Sequence, residues 1–109
     1  MTLRTPVCDV FGIEFPVFCA GMGIGSGASL AAAVSNAGGC GVIGANGRSN
    51  DGLRNEVRKI RALTSKPFGV NVLPGVLRDS VIEACIDERP PLMVFFWGDA
   101  AHWIGEAHR

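Results

Sequence analysis

No charge imbalance, no membrane-length apolar run and no cluster of metal ligands marks this chain. Ten Lys and Arg residues offset ten Asp and Glu residues, so the formal net charge is zero. A balanced chain has no electrostatic footprint for nucleic acid or for an anionic membrane surface. The longest apolar runs are strand-sized, far short of the roughly 20 residues that a membrane span needs. Residues Met1 to Asp9 lack the apolar stretch of a secretory signal. A soluble, cytoplasmic protein is expected.

Only two histidines occur, His102 and His108, and no cysteine lies near them. The four cysteines, Cys8, Cys19, Cys40 and Cys85, form no Cys-x-x-Cys pair. No zinc constellation can be drawn from this set, and the expected metal count is none. The thiols read as small buried hydrophobes. No Gly-Lys-Ser/Thr follows the glycines, which excludes a Walker A loop.

What the chain does have is 48% hydrophobic residues over 109 positions, enough for one core. It also has glycine in an unusual concentration. The stretch Pro16-Val-Phe-Cys-Ala-Gly-Met-Gly-Ile-Gly-Ser-Gly27 is an apolar run that breaks into glycines and then into an alanine-rich helix pattern. A loop with almost no side chains lets the backbone approach a flat or anionic ligand closely.

The remaining chain alternates. Strands are predicted at Pro16–Ala20, Cys40–Ala45, Phe68–Leu73 and Leu92–Trp97, each ending in a glycine-bearing or polar turn. Between them lie helix patterns. The first has Ser26 or Ser29 as cap and a stripe of Leu30, Ala33, Val34 and Ala37. The second opens at Asn50 or Asp51 and carries Leu53, Val57, Ile60 and Leu63 on one face. Its other face, with Arg54, Glu56, Arg58, Lys59 and Arg61, reads as a solvated outer surface. A third aligns Leu77, Val81, Ile82, Cys85 and Ile86 before Pro90-Pro91, and a last one, capped by Asp99, runs through Ala101, Ile104 and Ala107. Residues Thr5–Glu14 read as an apolar turn covering one end of a sheet or barrel. Strands apolar on both faces, alternating with amphipathic helices, define a parallel sheet built by right-handed crossovers. Periodicity alone does not separate an open doubly wound sheet from a closed barrel.

The glycines admit several readings. Gly38, Gly39, Gly41 and Gly69 suit helix stops and close helix–strand packing. Gly21, Gly23, Gly25 and Gly27 are too concentrated for one turn and suit a ligand-facing loop. Gly23-x-Gly25-x-x-Ala28 fits the relaxed dinucleotide fingerprint, but no acidic residue stands at the end of the second strand, where the ribose would need one.

Three segments carry a resemblance. Pro16-Val-Phe-Cys-Ala-Gly-Met22, Leu30-Ala-Ala-Ala-Val-Ser-Asn-Ala-Gly-Gly-Cys-Gly-Val-Ile-Gly44 and Lys66-Pro-Phe-Gly-Val-Asn71 together resemble the nitronate monooxygenase family, also called 2-nitropropane dioxygenases. Flavin-dependent enoyl-acyl-carrier-protein reductases share all three. The commonest family pattern has proline where this chain has Gly21, a position at which the reductase branch also tolerates glycine.

The resemblance implies a (βα)8 TIM barrel with FMN at the C-terminal ends of the strands. It places the flavin ring over the backbone of Ala20, Gly21 and Met22, with Asn71 hydrogen-bonding the cofactor. A carboxamide, with donors and an acceptor and no charge, suits the mixed edge of an isoalloxazine. A full barrel takes ~250 residues, about 30 per unit, so residues 1–109 are expected to be the N-terminal half, with about four units. The family's catalytic histidine and FMN-phosphate loops lie in the other half. His102 sits inside the final helix pattern, not at a strand end, and no catalytic residue is assigned.

The expected activity is oxidation of alkyl nitronates by dioxygen to a carbonyl compound and nitrite, with this fragment inactive alone. Expected partners are the small-molecule nitronate and dioxygen, with no nucleic acid, no membrane, and room for a homo-oligomer. The alternatives are a flavin-dependent enoyl-acyl-carrier-protein reductase and a flavin-free half-barrel assembly module.

Overall fold

Three short strands set the frame. In the computed structural model, which describes residues 3–109, β1 (Gly41–Gly44), β2 (Phe68–Val72) and β3 (Leu92–Phe95) pair in parallel in that order. The register sets Gly44 opposite Asn71 and Asn71 opposite Val94. Side chains alternate between faces along a strand, so one face carries Ile43, Val70, Val72, Met93 and Phe95. These pack with Leu53, Val57, Ile60, Ile82, Cys85 and Trp103 in the main core. The opposite face carries Val42, Gly44, Gly69, Asn71, Leu92 and Val94.

Among the described residues, four of the five α-helices pack on the first face. Helix α3 (Asn50–Leu63) buries Leu53, Val57 and Ile60, and the Ser49 side chain caps it by accepting from the Gly52 N–H at 3.0 Å. Helix α4 (Asp79–Asp87) buries Val81, Ile82, Ala84 and Cys85, with Leu77 and Ile86 partly covered. Helix α5 (Ala101–Ala107) has Ala100, not the expected Asp99, as its N-cap; Asp99 accepts from the Ala101 N–H at 2.9 Å one position earlier, and the helix buries Trp103 and leaves Ile104 exposed. The lead-in contains a true helix, α1 (Pro6–Phe11). It brings Cys8 and Ile13 against Cys40 and Leu92, closing the N-terminal end of the sheet.

Several expectations need correction. The stretch Pro16–Ala20 is not a strand; it makes one parallel bridge, Phe18 to Cys40. Where a longer strand would have bonded β1, Ser26 does so instead. Its hydroxyl donates to the Val42 carbonyl at 2.5 Å and its carbonyl accepts from the Gly44 N–H at 3.0 Å. One returning residue satisfies the edge, and the chain between is free to form the glycine loop. Neither Ser26 nor Ser29 is therefore a helix cap; Gly27 holds that place without a side-chain bond.

Helix α2 (Ala28–Asn36) is rotated from the predicted stripe. It buries Ala28, Ala31, Ala32 and Ser35, and leaves Leu30 exposed. The cause is Gly41, where a Cβ would overlap the Ala31 backbone. The helix axis lies so close to β1 that only its small side chains fit between.

The charged face of α3 is not merely solvated. Arg54 and Arg58 donate to Glu88 Oε1 at 3.3 and 3.1 Å, and Arg61 reaches the carbonyls of Glu88 and Arg89. The arginines tie α3 to the end of α4. No helix among the described residues is long and apolar enough to cross a membrane.

Candidate functional site

The C-terminal end of the sheet is covered by main chain. After the Phe18–Cys40 bridge the chain turns at Met22, held in the left-handed region at φ 46°, and makes a 3₁₀ turn over Gly23–Gly25. That loop rests directly on the end of β1. A Cβ on Gly44 would overlap the backbone of both Gly21 and Gly23, so any side chain at Gly44 would push the loop away.

Gly21 lies equally close to β2. A Cβ there would stand 2.5 Å from Asn71 Oδ1 and 2.6 Å from its Cβ. The Asn71 amide nitrogen donates to the Val94 carbonyl at 3.2 Å, which turns Oδ1 toward the loop. Ala20, Gly21, Met22 and Asn71, from segments about 50 positions apart by sequence, therefore meet on one rim. Ala20 and Met22 are exposed; Gly21 and Asn71 are half-buried.

The β3 end of the rim is aromatic. Phe96 and Trp97 stack with centroids 4.9 Å apart, and Trp97 holds φ 57°. The Gly75 N–H donates to the Trp97 carbonyl at 3.3 Å, joining the β2 and β3 loops. Non-glycine residues in this region cost about 1–3 kcal/mol each and concentrate at ligand clamps. Met22 and Trp97 are two of the three such residues described, with Arg89 at the opposite end.

Sequence reasoning missed the side chains that support the loop. Arg48 donates from Nε to the Gly44 carbonyl at 2.8 Å and from Nη2 to the Ser26 carbonyl at 3.4 Å. Glu56, on α3, accepts from the Ala28 N–H at 2.8 Å. Neither had a local signal, because each acts on a partner more than twenty residues away or on main chain.

The histidines take no part in the rim floor. His102 lies edge-on to Trp103 with centroids 5.0 Å apart, and His108 follows α5; both are exposed. No group of three or more metal-ligating side chains occurs among the described residues. A groove of about 940 Å³ runs beside β3 between Pro91, Leu92, Phe95 and Ile104 and includes none of the four rim residues. It marks the unpaired edge of β3, and edges of this kind accept another strand. The rim offers backbone carbonyls and amides, one carboxamide and apolar flanks, a set suited to a flat, uncharged ring.

Three comparisons bear on this arrangement. The family model described as nitronate monooxygenase matches residues 4–87. A nitronate monooxygenase of Paraburkholderia phytofirmans is 48% identical over 71 residues, 65% of this chain and 19% of that protein. An octahydroindene-carboxyl-CoA dehydrogenase of Mycobacterium tuberculosis is 46% identical over 72 residues, 66% of this chain and 20% of that protein. The solved structure of FabK from Thermotoga maritima superposes with a TM-score of 0.92 at 39% identity, over 98% of this chain and 35% of that one. The chain thus spans about a fifth of the curated relatives it matches.

Proposed function

The chain belongs to the nitronate monooxygenase family of flavin-dependent oxidoreductases, and from that premise we propose that it forms one wall of an FMN site, being the N-terminal half of a (βα)8 barrel. The observation that carries this reading is the contact of Gly21 with Asn71. The floor fits the group on its own geometry: main chain at Ala20, Gly21 and Met22 would lie under the ring, and Asn71 would hydrogen-bond its edge. The Val94 carbonyl fixes the orientation of that amide, so the acceptor is set before any ligand arrives. Met22, exposed and held by its own backbone, would cover one side of the ring and exclude water.

FMN, when bound, supplies the redox chemistry by which a nitronate and dioxygen become a carbonyl compound and nitrite. This chain's share is to orient the ring and keep one face dry. No acid or base stands at the floor among the described residues, and we assign the full reaction to the barrel completed by the remaining length of the relatives, with these 109 residues inactive alone.

The test is an FMN titration of the whole chain followed by visible absorbance. A yellow, saturable complex that is lost in Asn71→Ala supports the site. A colourless, discrete dimer on size exclusion would replace it with a flavin-free assembly module. A second reading is favoured by the carboxyl-CoA dehydrogenase relatives at 46% and 39% identity, whose named substrate is a thioester. On that reading the completed barrel is an enoyl-acyl-carrier-protein reductase, and it would oxidise NAD(P)H with enoyl thioesters and release no nitrite.

A further inference from the structure

Helix α2 follows the glycine loop directly, with Gly27 as its N-cap and nine residues in its length. A helix N-terminus after such a loop is a ready anion site, because free N–H groups and the positive end of the helix dipole face outward. In this chain the place is filled from within. Glu56 Oε2 accepts from the Ala28 N–H at 2.8 Å, and a Cβ on Gly27 would stand only 3.1 Å from that oxygen. Its other oxygen faces Arg48 Nη1 and Lys59 Nζ, each at 3.9 Å. The side chains of Arg48 and Glu56 are only 13% and 19% exposed. Arg48 also grips the Gly44 and Ser26 carbonyls, so the carboxylate is linked through it to the end of β1 and to the close of the loop.

We propose that Glu56 is a specificity-determining positioning residue: an internal anion that plugs the N-terminus of α2, so that the glycine loop receives a flat uncharged ring and refuses a phosphate. An incoming phosphate would have to displace a carboxylate that already holds the Ala28 N–H and faces Arg48 and Lys59. Ring and phosphate of one cofactor are thereby given opposite directions at this loop. The same contact separates the loop from the dinucleotide fingerprint that Gly23-x-Gly25-x-x-Ala28 imitates, in which pyrophosphate takes the helix N-terminus. The purpose of the plug rests on the proposed flavin site; its geometry does not.

The test uses the whole isotope-labelled chain, with inorganic phosphate and riboflavin as separate probes read by amide NMR. In the native chain, phosphate is expected to leave the Ala28 and Ser29 signals in place. Glu56→Ala opens the helix end beside Arg48, and phosphate should then shift both signals, binding about tenfold or more tightly than to the native chain. Glu56→Gln keeps an acceptor for Ala28 and should gain a smaller response; it serves if the alanine variant does not fold. A loss of stability alone would not create phosphate binding. Native signals that move with phosphate as readily as those of the variants overturn the proposal, as does a folded variant that stays blind to phosphate. Riboflavin separates the two readings: if it fails to bind the native chain while the phosphate response still appears in the variants, the flavin site falls and the plug stands.

Discussion

The two ends of the sheet are closed by opposite means. At the N-terminal end, side chains do the work: Cys8, Ile13 and Cys40 are buried together, with Phe11 and Leu92 packed against them. At the C-terminal end, backbone does it, with Gly21, Gly23 and Gly44 in mutual contact. Beside them Met22, Ile24, Phe96 and Trp97 are left exposed. A side-chain seal maximises buried area and stability. A backbone seal gives up that gain and leaves a surface that a planar ligand can approach closely. One end is sealed by buried side chains, and the other presents main chain and exposed apolar side chains to solvent.

The sharpest way to break this contrast is at Gly41, near the closed end. Alanine there would drive a Cβ into the Ala31 backbone, and no flexible side chain can yield. Gly41→Ala should cost about 3 kcal/mol or more, read as a lower urea midpoint. A variant of unchanged stability would show that α2 is not seated as described.

Alkali should attack the closed layers before the rim. Burial, and secondarily Glu88, pushes the Cys85 thiol from its ordinary 9.0 up to about 12. Burial, then Cys19, also raises Cys40. A thiol kept neutral when folded but ionised when unfolded makes the unfolded chain bind fewer protons, so stability falls as pH rises from about 9 toward about 12. Denaturation curves across that window should show the loss, and Cys85→Ala should flatten it. A wild-type curve that is flat above pH 9 would contradict the burial.

A matched pair of substitutions compares the two ends directly. Gly21→Ala should displace Asn71, lowering flavin affinity about tenfold, while stability changes by about 1 kcal/mol or less because both residues are half-exposed. Cys8→Ala should cost about 1 kcal/mol of stability and leave flavin affinity alone. If the two profiles coincide, the division between a sealing end and a binding end is wrong. The first variant also bears on the proline of the commonest family pattern: a ring at Gly21 could not coexist with Asn71 in its present place.

Much of this architecture could be read beforehand, and the errors have specific causes. β1, β2 and β3 and most of the buried stripes of α3 and α4 carry strong apolar contrast and lie where the pattern puts them, except that Leu63 is exposed at the end of α3 and Leu77 precedes α4. The predicted first strand failed because Ser26 satisfies the β1 edge and lets the chain leave after one bridge. The α2 stripe was misjudged because hydrophobicity favours Leu30 over alanine, whereas the approach to Gly41 selects for size. Trp103 was overlooked in α5 because Ala101, Ile104 and Ala107 offered a neater spacing. At the rim, the meeting of Gly21 and Asn71 was expected, while Arg48 and Glu56 were not. Their hydrogen bonds to the loop and to β1 go to main-chain atoms, which leave no trace in the pattern of residue types.

The chain carries two tryptophans, one on the rim and one in the main core. Trp97 stands 63% exposed on the rim, and Trp103 is 8% exposed in the core. Their emission should therefore separate by colour, the wet indole to the red and the dry one to the blue. A flat guest at the rim would dim the red component first, whereas loss of packing would move the blue one. The molecule thus contains its own pair of optical gauges, one for occupancy and one for integrity, with no label added.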